Sequence, residues 1–175
     1  NFYLLDIETI TNKYGVGRYR DYSKFFYGRI PFTFDYSNYF FSILANLISI
    51  ASGKVKKLLI LDLDNTLWGG ILGDDGPKGI ILGDDNPLGR AFLDFQRSIL
   101  NLQKRGVLLA ICSKNDLQNV KNVFQKNKNL ILKFNHFVSI KANWNNKAQN
   151  IKEISNELNL GTDSFVFFDD NPVER

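Results

Sequence analysis

The sequence predicts an α/β fold in which a parallel sheet carries helices on both faces. Three observations carry that expectation. Four short apolar runs, at residues 58–61, 107–112, 137–140 and 165–168, have the length and continuity of buried parallel strands. Stretches with apolar residues at helical spacing separate them. Several of the runs end in polar groups: Asp62 and Asp64 after the first, Ser113 after the second, and Asp169 with Asp170 after the last. Right-handed crossovers bring such ends to one edge of the sheet, where α/β proteins bind ligands.

The first 53 residues have a different texture from the rest. They are rich in aromatics, among them Tyr3, Tyr14, Tyr19, Tyr22, Phe25, Phe26, Phe32 and Phe34, and hold no catalytic motif. Residues 1–53 are therefore expected to form a partial upstream region that packs on or links to the domain at 54–175. Residues 2–7 read as a short strand. A helix is expected from about 37 to 52, stopped by Gly53 as a C-terminal cap. That helix is apolar nearly all round, through Phe40, Phe41, Ile43, Leu44, Leu47, Ile48 and Ile50, yet it contains Asn46 and is shorter than the roughly 20 residues a membrane span needs. A buried or interface helix is expected there, and no membrane span.

From residue 58 the elements alternate. After the first strand come Gly69, Gly70, Gly73 and Gly76, and the Asp75-Gly76 step is a hairpin signal, so residues 69–86 are expected to form a small β-flap beside the site. The string Ile-Leu-Gly-Asp-Asp occurs at 71–75 and again at 81–85, read here as two arms of that flap rather than as a repeat fold. This insert is too small for a large cap domain. A helix should open at Pro87 and run to about Arg105, with Phe92, Phe95, Ile99 and Leu102 on one face and Gly106 ending it. The second strand, 107–112, leads into the loop 113–116 and a helix over about 116–126. A short strand at 137–140 follows, then a helix holding Lys147, Ile151, Ile154 and Leu158 that Gly161 should cap, and then the last strand.

Composition narrows the function. With 44% hydrophobic and 23% charged residues the chain reads as a globular protein with a real core. The formal charge of +4 is mild and its Lys and Arg residues are scattered, so nucleic acid is not an expected partner. One Cys leaves no internal disulfide and fits a reducing compartment, so a cytoplasmic location is expected. The chain begins at Asn1, contains no Met and stops five residues beyond Asp170, so it reads as a fragment of a larger protein, truncated at its C-terminal end.

Acidic pairs at two strand ends point to metal-assisted phosphoryl transfer. Two carboxylates about 4 Å apart repel by about 4 kcal/mol at an effective dielectric of 20, so such a cluster either takes up a proton or holds a cation. Magnesium suits hard carboxylate oxygens and lets substrate phosphate complete its shell, whereas one His and one Cys argue against zinc. Each residue also has a plainer reading. An acidic pair after a strand is often a turn with a helix cap, Ser113 could cap the following helix, Lys147 could be a solvated helix residue, and Asn115 and Asn171 could be turn residues. Their joint order is what favours a site.

In that order Asp62-Leu63-Asp64-Asn65-Thr66-Leu67, Ser113 after a strand, Lys147 on a later helix and Asp169-Asp170 after the next strand resemble the four motifs of the haloacid dehalogenase (HAD) superfamily. Longer strings, LDLDNTLWGG at 61–70, CSKND at 112–116, NWNNK at 143–147 and FDDNPVER at 168–175, are similar to its FkbH-like branch, subclass IIIC. The resemblance implies a Rossmannoid, HAD-like sheet and a magnesium-dependent mechanism through an aspartyl-phosphate. It implies Asp62 as nucleophile and Asp64 as acid and base. Asp62, Asp64 through its backbone carbonyl, and Asp169 would hold the metal, with Asp170 nearby. Ser113, Thr66, Lys114, Asn115 and Lys147 would bind phosphate.

Cys112 divides the functional readings. FkbH-like enzymes imply dephosphorylation of a bisphosphoglycerate with transfer of the glyceryl group to an acyl carrier protein, and a cysteine beside Ser113 is a candidate thioester carrier. Successive strand residues point to opposite faces, however, so Cys112 would face the core if Ser113 faces phosphate. A plain phosphatase of a small phosphorylated metabolite, in surface-polysaccharide or related biosynthesis, is the alternative. A HAD-shaped interaction module without turnover is a second one.

Overall fold

The computed structural model describes residues 4–53 and 55–174. The chain divides into two compact units, Asn1–Val55 and Lys56–Arg175. Among its described residues the first holds three helices, α1 (Ile7–Tyr14), α2 (Tyr22–Gly28) and α3 (Phe34–Ala51). Each opens on a side chain that accepts an otherwise orphaned backbone N–H: Asp6 from Thr9 at 2.9 Å, Asp21 from Lys24 at 3.0 Å and Thr33 from Tyr36 at 3.3 Å. The strand expected at 2–7 is not formed over its described part. Asp6 caps α1 instead, and Glu8 in the first turn complements the helix dipole; Phe2 and Tyr3 lie outside the described residues. Thr33 likewise starts α3 three residues earlier than expected. Part of the aromatic set gathers on buried Tyr36, whose ring meets Tyr14, Tyr19 and Phe32 at centroid distances of 5.3, 5.6 and 5.1 Å, whereas Phe26, Tyr27, Phe34 and Phe41 are exposed. Its hydroxyl lies 2.8 Å from Thr11 Oγ1, so the polar tip is satisfied inside the cluster.

The second unit is a parallel four-stranded sheet of order β3-β2-β1-β4, built from β1 (Leu58–Leu61), β2 (Leu108–Ser113), β3 (Phe137–Ala142) and β4 (Phe165–Phe168). The register pairs Leu61 with Ile111 on one side and Phe168 on the other. Side-chain alternation divides the core. Leu61, Leu109 and Ile111 face one way and pack with Leu93 and Ile99 of α5 (Pro87–Lys104) and Val120 and Val123 of α6 (Leu117–Lys126). Leu58, Ile60, Ala110 and Cys112 face the other way, toward Ile154 of α7 (Lys147–Leu158). Helices thus cover both faces, as a buried parallel sheet requires. Strand order reverses between β1 and β4, which makes the gap beyond their carboxyl ends the topological switch point.

Three details of this unit differ from expectation. The segment after β1 is not a β-flap. Gly69 and Ile81 form one antiparallel bridge, with N–H···O distances of 3.0 and 2.8 Å, and between them lies a helical segment, α4 (Leu72–Gly79), broken at Gly76 (φ 65°, ψ 176°) ahead of Pro77. Asp75 does not turn a hairpin; its Oδ2 accepts the Ile71 N–H at 2.8 Å and so holds the first turn. The duplicated pentapeptide therefore has two structures, a helix start at 71–75 and a bridge followed by a turn at 81–85. Secondly, α7 ends on Asn159 in the left-handed region (φ 50°) rather than on Gly161, which begins a 3-10 turn. Thirdly, Ser113 closes β2 instead of opening a loop, a placement that matters below.

Candidate active site

Asp62 follows β1 directly, and its N–H donates to the Phe168 carbonyl at 3.0 Å, so β1 and β4 deliver their acidic residues side by side. One carboxylate oxygen from each of Asp62, Asp169 and Asp170 lies within 4.8 Å of the others. Asp62 and Asp169 are buried and Asp170 is exposed. Lys147, the first residue of α7, is buried against them. Its Nζ donates to Asp169 Oδ2 at 2.6 Å and lies 3.1 Å from Asp62 Oδ1. Asp169 Oδ1 accepts the Asn171 N–H at 2.9 Å.

The electrostatics are unbalanced in a definite direction. Burial pushes the Asp62 carboxyl above its ordinary range, against hydrogen bonding from Ser113 and the charge of Lys147. Burial also works against the Lys147 ammonium, but Asp169 and Asp62 together outweigh it and hold its pKa above the usual lysine value. Three carboxylates against one ammonium leave two negative charges, which matches a divalent cation with oxygen ligands. Among the described residues two buried side-chain oxygens lack a hydrogen bond. Asp62 Oδ1 makes an ion pair but no hydrogen bond of good geometry, and buried Thr66 Oγ1 has no partner. Native interiors seldom leave such atoms orphaned unless they await an ion or ligand.

Asp64 has its own cradle. Its Oδ1 accepts from Trp68 Nε1 at 3.0 Å and from the Leu72 N–H at 3.1 Å, and its Oδ2 from Asn115 Nδ2 at 2.9 Å. The same Asn115 amide reaches Ser113 Oγ at 3.1 Å, tying the end of β2 to the end of β1. Asn65, at φ 52°, turns the chain sharply after Asp64, and its Oδ1 accepts the Gly70 N–H at 2.9 Å.

Asp62, Asp64, Ser113, Asn115, Lys147, Asp169 and Asp170 are thus brought together. Lys114 is directed elsewhere, its Nζ paired with Glu174 at 2.5 Å. Cys112 sits on the opposite face from Ser113, fully buried with Ile154, its Sγ donating weakly to the Lys147 carbonyl at 3.8 Å. Burial pushes its thiol up to about 11. Trp144 is 73% exposed and shapes no part of this cluster. Trp68 is fully buried and reaches the site through its bond to Asp64, a role that its place in the sequence did not disclose. The available signal was an indole four residues beyond a carboxylate on a tight turn.

No family model and no curated protein matches the sequence. Among solved structures, the chain is similar to the N-terminal part of the protein BF1531 from Bacteroides fragilis, which contains a phosphatase domain and was solved in complex with magnesium. The identity is 41% with a TM-score of 0.88, over 99% of this chain and 46% of that one, so this chain spans a little under half of its relative. A haloacid dehalogenase-like family hydrolase from Xanthomonas campestris is more distant, at 16% identity and a TM-score of 0.45 over 68% of this chain and 76% of that one. With its parallel sheet covered by helices on both faces and its acidic residues at the switch point, this chain has the α/β fold of a phosphatase-containing protein solved with magnesium.

Proposed function

We propose that this chain is a magnesium-dependent phosphatase domain in which Asp62 takes the phosphoryl group as an aspartyl-phosphate. The observation that carries the reading is the meeting of Asp62, Asp169 and Asp170 within 4.8 Å, with the Lys147 ammonium against Asp62 and Asp169. Asp62, Asp169, Asp170 and the Asp64 carbonyl would hold magnesium, which when bound supplies positive charge to the phosphate oxygens. The relative from Bacteroides fragilis, solved with magnesium, supports that choice.

The residues of the chain divide the remaining work. Asp62 attacks phosphorus, and Lys147 offsets negative charge on nucleophile and phosphoryl group. Ser113 and Thr66 offer hydroxyls to phosphate oxygens, and the buried, unpartnered Thr66 Oγ1 is available for such a bond. Asp64 protonates the leaving group and then takes a proton from water, kept in position by Trp68, Leu72 and Asn115. Lys114 would reach substrate only by leaving Glu174.

The test is phosphate release from p-nitrophenyl phosphate and acetyl phosphate with magnesium present or chelated. Asp62→Asn should lower turnover at least about a thousandfold, roughly 4 kcal/mol of barrier, with the fold unchanged by circular dichroism. Turnover at the wild-type rate in that variant would overturn the mechanism.

Transfer of a glyceryl group to a carrier protein is the finer reading, and it rests on the resemblance carried by the strings at 61–70, 112–116, 143–147 and 168–175. The burial and raised pKa of Cys112 speak against a thioester there, so an acyl group would have to pass to the carrier without that stop. Incubation with bisphosphoglycerate and a carrier protein, comparing wild type with Cys112→Ala, separates the cases. Phosphate release without acylated carrier leaves the plain phosphatase standing.

A further inference from the structure

Away from the strand ends, a cleft of about 950 Å³ opens between α4 and the C-terminal end of α6. Its floor is apolar, formed by buried Ile80, Leu82 and Val123. Its rim carries Lys78, Lys126 and Lys128 against the carboxylate of Asp75. Among the described residues none of these lysines makes an ion pair. Asp75 is turned to its own chain, where it accepts the Ile71 N–H.

The charge at this rim has no internal owner. Three ammonium groups and one carboxylate leave two positive charges. The C-terminal end of α6 adds about half a negative charge from its aligned peptides, which Lys126 in its last turn complements. That is too little to balance the rest. The volume lies within the range of small-molecule sites, and an apolar floor with a few convergent polar groups is their usual make-up.

We propose that this cleft binds a small organic polyanion, its planar or apolar body on Ile80, Leu82 and Val123 and its anionic groups among Lys78, Lys126 and Lys128. The site is distinct from the phosphoryl site. The first residue of α4, Leu72, donates to Asp64, whereas residues 75–78 line the cleft. Along α6 about 7–8 Å separate Leu117, beside the Asn115 end, from Asn122 at the near edge of the cleft, and about 13–14 Å separate it from Lys126 on the rim. The inference does not depend on the phosphatase reading, and its test uses binding alone.

The probe is pyranine, a fluorescent pyrene trisulfonate that is not a phosphoester, titrated into the full chain in chelator-containing buffer and followed by anisotropy. One saturable site is expected, weakened by added salt and weakened at least tenfold by Lys78→Gln, Lys126→Gln and Lys128→Gln together. Asp62→Asn should leave it unchanged. The same tenfold loss from Lys13→Gln, Lys104→Gln and Lys152→Gln together would reveal unspecific charge attraction and overturn the proposal. Loss of binding in Asp62→Asn, or titration without saturation, would overturn it as well.

Discussion

Three N–H donors fix the Asp64 carboxylate, and one of them is an indole whose ring is also part of the core, in edge contact with Phe124 at 6.2 Å. Trp68→Phe keeps much of that packing and removes one hydrogen bond to a charged group, worth about 1.5–3 kcal/mol. Turnover is therefore expected to fall about tenfold or more, with KM little changed and a shifted pH profile; a purely structural Trp68 would move thermal stability and leave the profile alone. Cys112 gives a second prediction. Its thiol holds a proton to about pH 11 when folded, against 9.0 for an ordinary thiol, so the folded state binds the proton more tightly. The associated stability is complete below pH 9 and is lost as pH rises to about 11, at about 1.4 kcal/mol per unit and so about 3 kcal/mol in all. The gap in unfolding free energy between wild type and Cys112→Ala should narrow by that amount between those pH values. An unchanged gap would show a thiol that meets solvent.

Helix α5 is joined to its neighbours by one buried amide. Gln96 Nε2 donates to the Leu67 carbonyl at 2.8 Å, and Gln96 Oε1 accepts from the Ile131 and Leu132 N–H groups at 3.0 and 3.2 Å. The residue is fully buried, so Gln96→Leu would strand backbone groups on two segments with no water to replace the amide. At about 1–3 kcal/mol for each orphaned group, a loss of at least about 3 kcal/mol in denaturant unfolding is expected. Because Leu67 lies in the turn that carries Asp64 and Trp68, activity should fall along with stability. The helical segment α4 teaches a related lesson about elements. Its pentapeptide twin at 81–85 has the same residues and a different structure, because Asp75 finds the Ile71 N–H while the second copy is drawn into the bridge with Gly69. Local composition there is permissive, and long-range pairing decides.

For the whole molecule, the two excess negative charges at the switch point make folding and cation binding linked equilibria. Magnesium at about a hundred times its dissociation constant should add about 2.7 kcal/mol, and a chain of this size gains about 2–4 °C in Tm per kcal/mol. A rise of about 5–10 °C over chelated protein is expected in a thermal scan, and Asp170→Asn should reduce it. Among the described residues no helix is long and apolar enough to cross a membrane.

Sequence alone determined the strands and the order of their polar ends, and it brought forward Asp62, Asp64, Ser113, Lys147 and Asp169 as candidates, since buried parallel strands write continuous apolar runs that stop at the sheet edge. It also indicated that Cys112 and Ser113 would face opposite ways, because strand alternation is a local rule. It could not reveal that Asn115 would cross to Asp64, that Gln96 would serve residues 35 and 36 positions away, or that the segment after β1 would be helical. Those outcomes belong to the tertiary structure. A buried donor must find an acceptor somewhere, and packing, not the neighbouring sequence, selects which one lies within reach.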